Sequence, residues 1–207
     1  MKDLLAPLGL TPTPHQLTRL EGYAALLRQW NARINLVAES TLAELERRHI
    51  LDCAQLAPHL PADSCRVLDV GAGAGLPGLV LAILAPQHQY TLAEKVSKKA
   101  AFLHTAAQEL GLANVIVHAG RVESLVPRKY DIITCRAWAS LADIVTLTTP
   151  LLAANGTWCL LKGEAYQAEL EGCPSAQQMT IETHRSITNP AAVVMRLTPV
   201  PRETDTI

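Results

Sequence analysis

A chain of 207 residues that is 49% apolar and 18% charged has the length of one α/β domain with a modest extension and the composition of a folded globular protein, which excludes a disordered chain. Its formal net charge of -1 excludes a global electrostatic pull toward nucleic acid, so any RNA contact must come from a local patch of Lys and Arg. The sequence shows neither an apolar run of about 18 residues nor a secretory leader, and its five cysteines (Cys53, Cys65, Cys135, Cys159, Cys173) are never arranged as C-x-x-C; a cytoplasmic protein with reduced thiols, no metal and no membrane partner is expected.

Residues 1–62 are expected to form a helical amino-terminal cap on a domain spanning 63–207, the two making one compact unit. Thr13, Pro14 and Gln16 spell a capped helix start, after which Leu17, Leu20, Ala24, Leu27 and Trp30 share one face. Beyond a linker over 30–40, a second helix is predicted from Thr41, with Glu44 completing another capping box, through Leu45, Ile50 and Leu56 to a stop at Pro58. From Arg66 onward, short β-type runs at 66–70, 89–94, 115–118, 130–135 and 157–161 alternate with helical segments at 77–84, 97–110 and 140–152. That alternation predicts a doubly wound, Rossmann-like α/β fold with a mainly parallel sheet. A further helix near 164–171 and two extended stretches, 179–186 and 192–197, close the sheet as a hairpin-like pair, and 201–207 reads as a loose tail.

The strongest local signal is RVLDVGAGAGLPG at 66–78, a buried strand running through glycines into a helix opened by Pro77. Gly71, Gly73 and Gly75 permit close backbone approach to a ligand, and the helix beyond them offers unpaired N–H groups. Residues 73–78 also satisfy G-x-G-x-x-G, with Glu94 placed as a ribose carboxylate, so a nicotinamide dinucleotide and its oxidoreductase chemistry are one reading. Asp69, just before Gly71, and Glu94 one βα unit later favour a second reading, an S-adenosyl-L-methionine site. There the loop lies beside the methionine portion, the second carboxylate accepts the ribose hydroxyls and no pyrophosphate is needed.

Seven blocks in order then resemble one family: W-N-x-x-x-N-L at Trp30–Leu36, R-H-x-L-D at Arg48–Asp52, D-V-G-x-G-x-G-L-P-G at Asp69–Gly78, K-x-x-F-L at Lys99–Leu103, R-V-E at Arg121–Glu123, R-A-x-A-S-L at Arg136–Leu141 and L-K-G at Leu161–Gly163. They resemble the bacterial small-subunit ribosomal RNA guanine-N7 methyltransferases (RsmG/GidB). The resemblance implies a class I S-adenosylmethionine-dependent methyltransferase fold, a monomer, and methylation of one guanine N7 in 16S rRNA, within the small ribosomal subunit. It also implies that Gly71 and Leu76 contact the cofactor, that Glu94 binds its ribose, that Val122 and Glu123 flank the adenine, and that Arg136 stands beside the methionine part and the entering base. Methylation of another RNA or of a small molecule shares the same cofactor half.

Cys135 stands where the family usually has serine, and Glu94-Lys95 where it usually has Asp-Ser. A cysteine at that strand end raises the covalent chemistry of cytosine-C5 methylation, although Thr134, not proline, precedes it; a buried thiol replacing serine is the favoured reading. Guanine N7 carries a lone pair and no proton, so alignment alone can drive its attack on a sulfonium methyl, consistent with a sequence that shows neither a triad nor paired carboxylates. Lys162, after a parallel strand, is expected at the ligand edge of the sheet as a phosphate-contacting, substrate-positioning residue. His49 and Asp52 share a helix face and read as a polar joint pinning the amino-terminal helices in preference to an RNA contact, and Trp30 reads as core.

Overall fold

The computed structural model of the protein describes residues 1–126 and 128–200, so the tail expected over 201–207 lies outside the described residues. Five parallel strands, β1 (Arg66–Val70), β2 (Gln89–Glu94), β3 (Val115–Ala119), β4 (Tyr130–Arg136) and β5 (Leu152–Lys162), are joined by β6 (Met179–Arg185) and β7 (Val193–Pro199). They make one sheet in the order β3-β2-β1-β4-β5-β7-β6, with β7 antiparallel to both β5 and β6. Successive strand residues point to opposite faces, and both faces here are apolar. Val67, Ile132 and Cys159 enter one core, while Leu68, Ile133 and Trp158 enter the other. A helical layer on each face is what lets these strands bury apolar side chains on both sides.

One layer holds α1 (Lys2–Leu5), α2 (Pro14–Asn31), α3 (Asp52–Ala54), α4 (Gly78–Leu84) and α5 (Ser97–Glu109); the other holds α6 (Leu141–Thr148) and α7 (Tyr166–Glu171). α2 begins as its sequence predicts: the Thr13 N–H donates to Gln16 Oε1 at 2.8 Å and the Gln16 N–H to Thr13 Oγ1 at 3.3 Å. Gln16 Nε2 then donates to the carbonyls of Ile83 and Leu84, so the residue that starts α2 also finishes α4. Leu20, Leu27 and the core-facing Trp30, edge-on to Phe102 at 5.6 Å, pack against α4 and α5. The amino-terminal segment thus shares its core with the sheet. The linker after α2 is organised by the buried Asn31, whose Oδ1 accepts from the N–H groups of Leu36 and Val37.

The second helix predicted from Thr41 is not a regular α-helix. Residues Glu39–Glu44 form 3-10 turns, Glu46–Leu51 a widened π-helical turn, and only Asp52–Ala54 an α turn. Thr41 does not cap it, because its hydroxyl donates to the Ala38 carbonyl at 2.6 Å and faces His49 Nε2 at 2.7 Å. The helix expected over 140–152 ends at Thr148, followed by a single 3-10 turn, and β5 starts at Leu152, five residues earlier than expected. The reason is local: Thr148 and Thr149 turn their hydroxyls back onto the carbonyls of Ile144 and Val145, and Pro150 has no N–H with which to continue the helix. Pro77 precedes α4 as its cap and is not its first residue, and α7 begins at Tyr166 instead of Glu164.

Tyr23 on α2 is fully buried and donates its hydroxyl to the Ala74 carbonyl at 2.7 Å, tying the amino-terminal layer to the glycine loop after β1. Tyr23→Phe leaves that carbonyl without a partner and is expected to cost about 1–2 kcal/mol. Urea unfolding checks it; an unchanged midpoint would show that the tie contributes nothing.

Candidate active site

The chain leaves β1 to build β2 on one side and returns to place β4 on the other, so the sheet's topological switch opens a crevice at the carboxyl ends of β1 and β4. Two cavities lie there. The smaller, about 470 Å³, is lined by Gly71 and Gly73 after β1, Glu94 after β2 and Val122 and Glu123 after β3. The larger, about 590 Å³, is lined by Arg136 after β4, Lys162 after β5, Arg48, His49 and Asp52 from the amino-terminal layer, and the β6–β7 turn. Ala137 and Ala139 line both, so the segment after β4 is their common wall.

The glycine loop is held by two carboxylates. Glu94, at the end of β2 and 6% exposed, accepts the Gly73 N–H on Oε2 at 2.8 Å and the Val96 N–H on Oε1 at 2.7 Å. Each oxygen keeps a further lone pair with which to accept a hydroxyl from the cleft. Asp69 faces the other way. It is fully buried beneath the start of α4, accepts the Gly78 N–H on Oδ2 at 2.8 Å, and does not line the cleft. Gly78 is required there, since a Cβ would lie 2.6 Å from Asp69 Oδ2. The Leu76 side chain is likewise buried in the core, and Gly75 packs against Leu79 and Leu103, so these residues shape the loop from behind. Burial raises the Asp69 carboxyl to about 8 against the pull of the Gly78 N–H. Its Oδ1 and the Thr134 Oγ1 on the paired residue of β4 have no hydrogen-bond partner among the described residues.

Gly71 has φ +65°, and its backbone lies directly under the Trp138 indole, 2.2 Å from where a Cβ would stand. Trp138, in the common wall, is a site residue that the sequence reading passed over; an aromatic side chain between two small residues, in the R-A-x-A-S-L block, was the available signal. Lys95, Lys99 and Arg121 also line the smaller cavity. Val122 is buried at the floor of the cleft, and Glu123 is exposed at its rim.

Lys162 lines the larger cavity, as expected at the ligand edge of the sheet, but its charge is already engaged. Its ammonium pairs with Glu169 Oε2 at 2.5 Å, is 7% exposed, and reaches the Ala139 carbonyl at 3.4 Å, while Glu169 also accepts the Leu141 N–H. Its geometry supports the common wall from beneath. Arg136 donates to Asp52 Oδ2 at 3.2 Å and to His49 Nδ1 at 3.0 Å. The polar joint read from His49 and Asp52 therefore meets the strand-end arginine. Cys135 is 1% exposed and lines neither cavity, and burial pushes its thiol up to about 12, so it has no access to a base as a nucleophile. Cys53, Cys159 and Cys173 are buried too, and all five cysteines are free.

The residues fit a nucleoside with an amino-acid arm. Gly71 lines the cleft with backbone and leaves room for Trp138, Glu94 presents acceptors for vicinal hydroxyls, and Val122 gives an apolar floor for a purine. No helix among the described residues is long and apolar enough to cross a membrane.

The family model described as rRNA small subunit methyltransferase G (GidB) matches residues 16–194. A protein named ribosomal RNA small subunit methyltransferase G from Cereibacter sphaeroides is 44% identical over 193 residues, covering 91% of this chain and 92% of its own. One of the same name from Burkholderia cenocepacia is 45% identical over 181 residues, covering 84% and 79%. Among solved structures, the ribosomal protein L11 methylase from Lactobacillus delbrueckii subsp. bulgaricus is similar with a TM-score of 0.61 at 13% identity, over 73% of this chain and 78% of its own. A SAM-dependent methyltransferase from Aquifex aeolicus is similar with a TM-score of 0.59 at 12% identity, over 86% and 98%. At such identities the likeness establishes the fold, the class I methyltransferase form of the doubly wound sheet.

A carboxyl raised in the fold favours its protonated form, so its contribution to stability is complete below the ordinary carboxylate range and is lost as pH rises through about 8. Asp69→Asn keeps an acceptor for Gly78 and removes the titration. Between about pH 5 and pH 9 the wild type is expected to lose more urea stability than the variant; parallel curves would show that Asp69 does not titrate there.

Proposed function

We propose, since the chain belongs to the rRNA small subunit methyltransferase G family, that it transfers a methyl group from S-adenosylmethionine to N7 of one guanine in 16S rRNA. The observation that carries this reading is the pair of cavities with a common wall. One is a glycine-and-carboxylate cradle of nucleoside size, and the other, lined by Arg48, His49, Asp52 and Arg136, is polar and open to a base. The two meet at Ala137 and Ala139, after β4.

When bound, the sulfonium supplies an electrophilic methyl carbon; its bond to sulfur breaks as the N7 lone pair forms the new one, leaving a neutral thioether and a positive charge on the guanine. The protein need only orient and desolvate, because N7 has no proton to remove. Glu94 accepts the ribose hydroxyls while its bonds to Gly73 and Val96 keep it from turning away. Val122 floors the adenine and Glu123 accepts from its exocyclic amine at the rim. Gly71, on the cleft side of the loop, sets the backbone against which the amino-acid arm lies, and Asp69, Gly73, Gly75 and Leu76 hold that backbone in shape. Arg136, at the junction, donates to guanine O6. Adenine carries a donor at that position and cannot pair with it, so the contact selects guanine and leaves N7 open to attack. Lys162, through Ala139, keeps the wall between the two ligands in place. The small ribosomal subunit, in which such a base can be presented outside a regular helix, is the substrate particle, and the protein acts on it as a cytoplasmic monomer.

The test is methyl transfer from labelled S-adenosylmethionine to small subunits lacking their native modifications, with mapping of the modified base. Label on one guanine N7 is expected; label confined to protein, another RNA or a small molecule would overturn the substrate. Gly71→Val places a β-branched side chain at positive φ against Trp138. Calorimetry on the folded variant should show S-adenosylmethionine affinity lowered at least about 100-fold, about 3 kcal/mol; retained affinity would remove the glycine loop from the cofactor site.

A further inference from the structure

Arg136 is gripped from the amino-terminal layer by a network with a defined direction of hydrogen bonding. Its Nη1 donates to Asp52 Oδ2 at 3.2 Å and to the Arg48 carbonyl at 3.4 Å, and its Nη2 donates to His49 Nδ1 at 3.0 Å. His49 Nε2 lies 2.7 Å from Thr41 Oγ1, whose single proton is already committed to the Ala38 carbonyl at 2.6 Å. Thr41 can therefore meet the imidazole only with a lone pair, which places the ring proton on Nε2 and leaves Nδ1 as an acceptor for the guanidinium. An imidazolium would turn a second donor against Arg136.

The surroundings favour that neutral tautomer. His49 is 8% exposed, and burial, with the Arg136 charge beside it, pushes its imidazole down to about 4. The charged groups around it are Arg48 on the same turn, Asp52 one turn on, and Arg136 at the strand end. Asp52 is itself held, its Oδ1 accepting from Thr188 Oγ1 at 2.5 Å and from Gln55 Nε2 at 3.2 Å. The π-helical turn over Glu46–Leu51 sets where His49 points, and such widened turns recur at functional sites.

We propose that His49 is a positioning residue of the transfer reaction: as a neutral acceptor locked by Thr41, it holds Arg136 Nη2 so that the remaining guanidinium donors face the target cavity. The proposal rests on the methyltransferase reading above and assigns to the R-H-x-L-D block a role in orienting the base-reading arginine, beyond joining two layers. His49 lies outside the smaller cavity, so the effect should fall on base placement and not on cofactor binding.

The experiment compares His49→Leu, His49→Gln and Arg136→Ala with the wild type on unmodified small subunits. His49→Leu is expected to lower kcat about tenfold or more, about 1.4 kcal/mol of transition-state stabilisation, with S-adenosylmethionine affinity by calorimetry within about twofold of the wild type. His49→Gln, with an amide oxygen for Arg136 and an amide N–H for Thr41, should recover most of the loss. The His49→Leu/Arg136→Ala double variant should be no slower than Arg136→Ala alone. Full kcat in His49→Leu, losses that add in the double variant, or equal loss of activity and cofactor affinity would each overturn the proposal. Should His49→Leu fail to fold, Thr41→Val removes the same lock and is held to the same outcomes. A readout independent of activity is the imidazole nitrogen NMR spectrum of the wild type at about pH 6, where an ordinary histidine is largely charged. The neutral Nε2–H form supports the proposal and an imidazolium overturns it, whereas wild-type protein that methylates no subunit refutes the functional reading while leaving this spectrum to be judged separately.

Discussion

The turn after the first parallel strand keeps its shape because three side chains from three elements hold its backbone. Glu94 takes the Gly73 N–H from the end of β2, Asp69 takes the Gly78 N–H from the strand itself, and Tyr23 reaches across from α2 to the Ala74 carbonyl. Part of the turn is closed by backbone pairs, Ala72 N–H to the Ala93 carbonyl and Gly75 N–H to the Ala72 carbonyl, and these side chains take groups that would otherwise lack a partner, whose burial unpaired would cost free energy comparable to a lost hydrogen bond. The loop is therefore pre-shaped: its cleft side shows Gly71 and the outer lone pairs of Glu94, and its inner side is bound to the core. The amino-terminal segment, the sheet and the cleft are coupled at this point, and so the cap cannot be treated as an appendage.

A second consequence concerns charge. With a net charge of -1, the chain reaches its polar chemistry through local pairing and not through an overall field. Lys162 is matched by Glu169, and Arg136 by Asp52. Both ion pairs converge on the segment from Arg136 to Leu141, which separates the two cavities. The wall is thus fixed at either end by charge, with Trp138 resting on Gly71 between them. Methyl transfer needs two ligands aligned across a short gap, and a wall supported in this way sets their separation without any residue having to exchange a proton.

Much of this was legible in the chain, and the exceptions have physical causes. The parallel strands announced themselves because both sheet faces are covered, so β1 and β4 carry apolar residues on both sides, Val67, Leu68 and Val70 in one and Ile132, Ile133 and Cys135 in the other. The Thr13 and Gln16 capping box was legible because nothing competes for either side chain beyond Gln16's free amide. The same pattern at Thr41 and Glu44 misled, since a partner eight residues away, His49, takes the hydroxyl that a cap would need. The early start of β5 was hidden by Ala153, Asn155 and Gly156, poor strand formers that fall inside a register shift, between the pairs Tyr130–Leu152 and Ile132–Thr157. Glu94 lies at the smaller cavity, where its place at the end of the second strand puts it. The division of labour between it and Asp69 was not legible, because which of two acids faces the core depends on strand parity relative to α4. Lys162 ends β5, and its partner Glu169 lies on a helix whose approach no spacing rule predicts.

On the proposed reading, the cradle behind Glu94, and not the larger neighbouring cavity, receives the nucleoside. A crystal structure of the protein with S-adenosylhomocysteine tests it most directly. Both ribose hydroxyls are expected within hydrogen-bonding distance of Glu94, with the adenine against Val122. Density for the ligand among Arg48, His49 and Asp52, or a ribose turned away from Glu94, would contradict it.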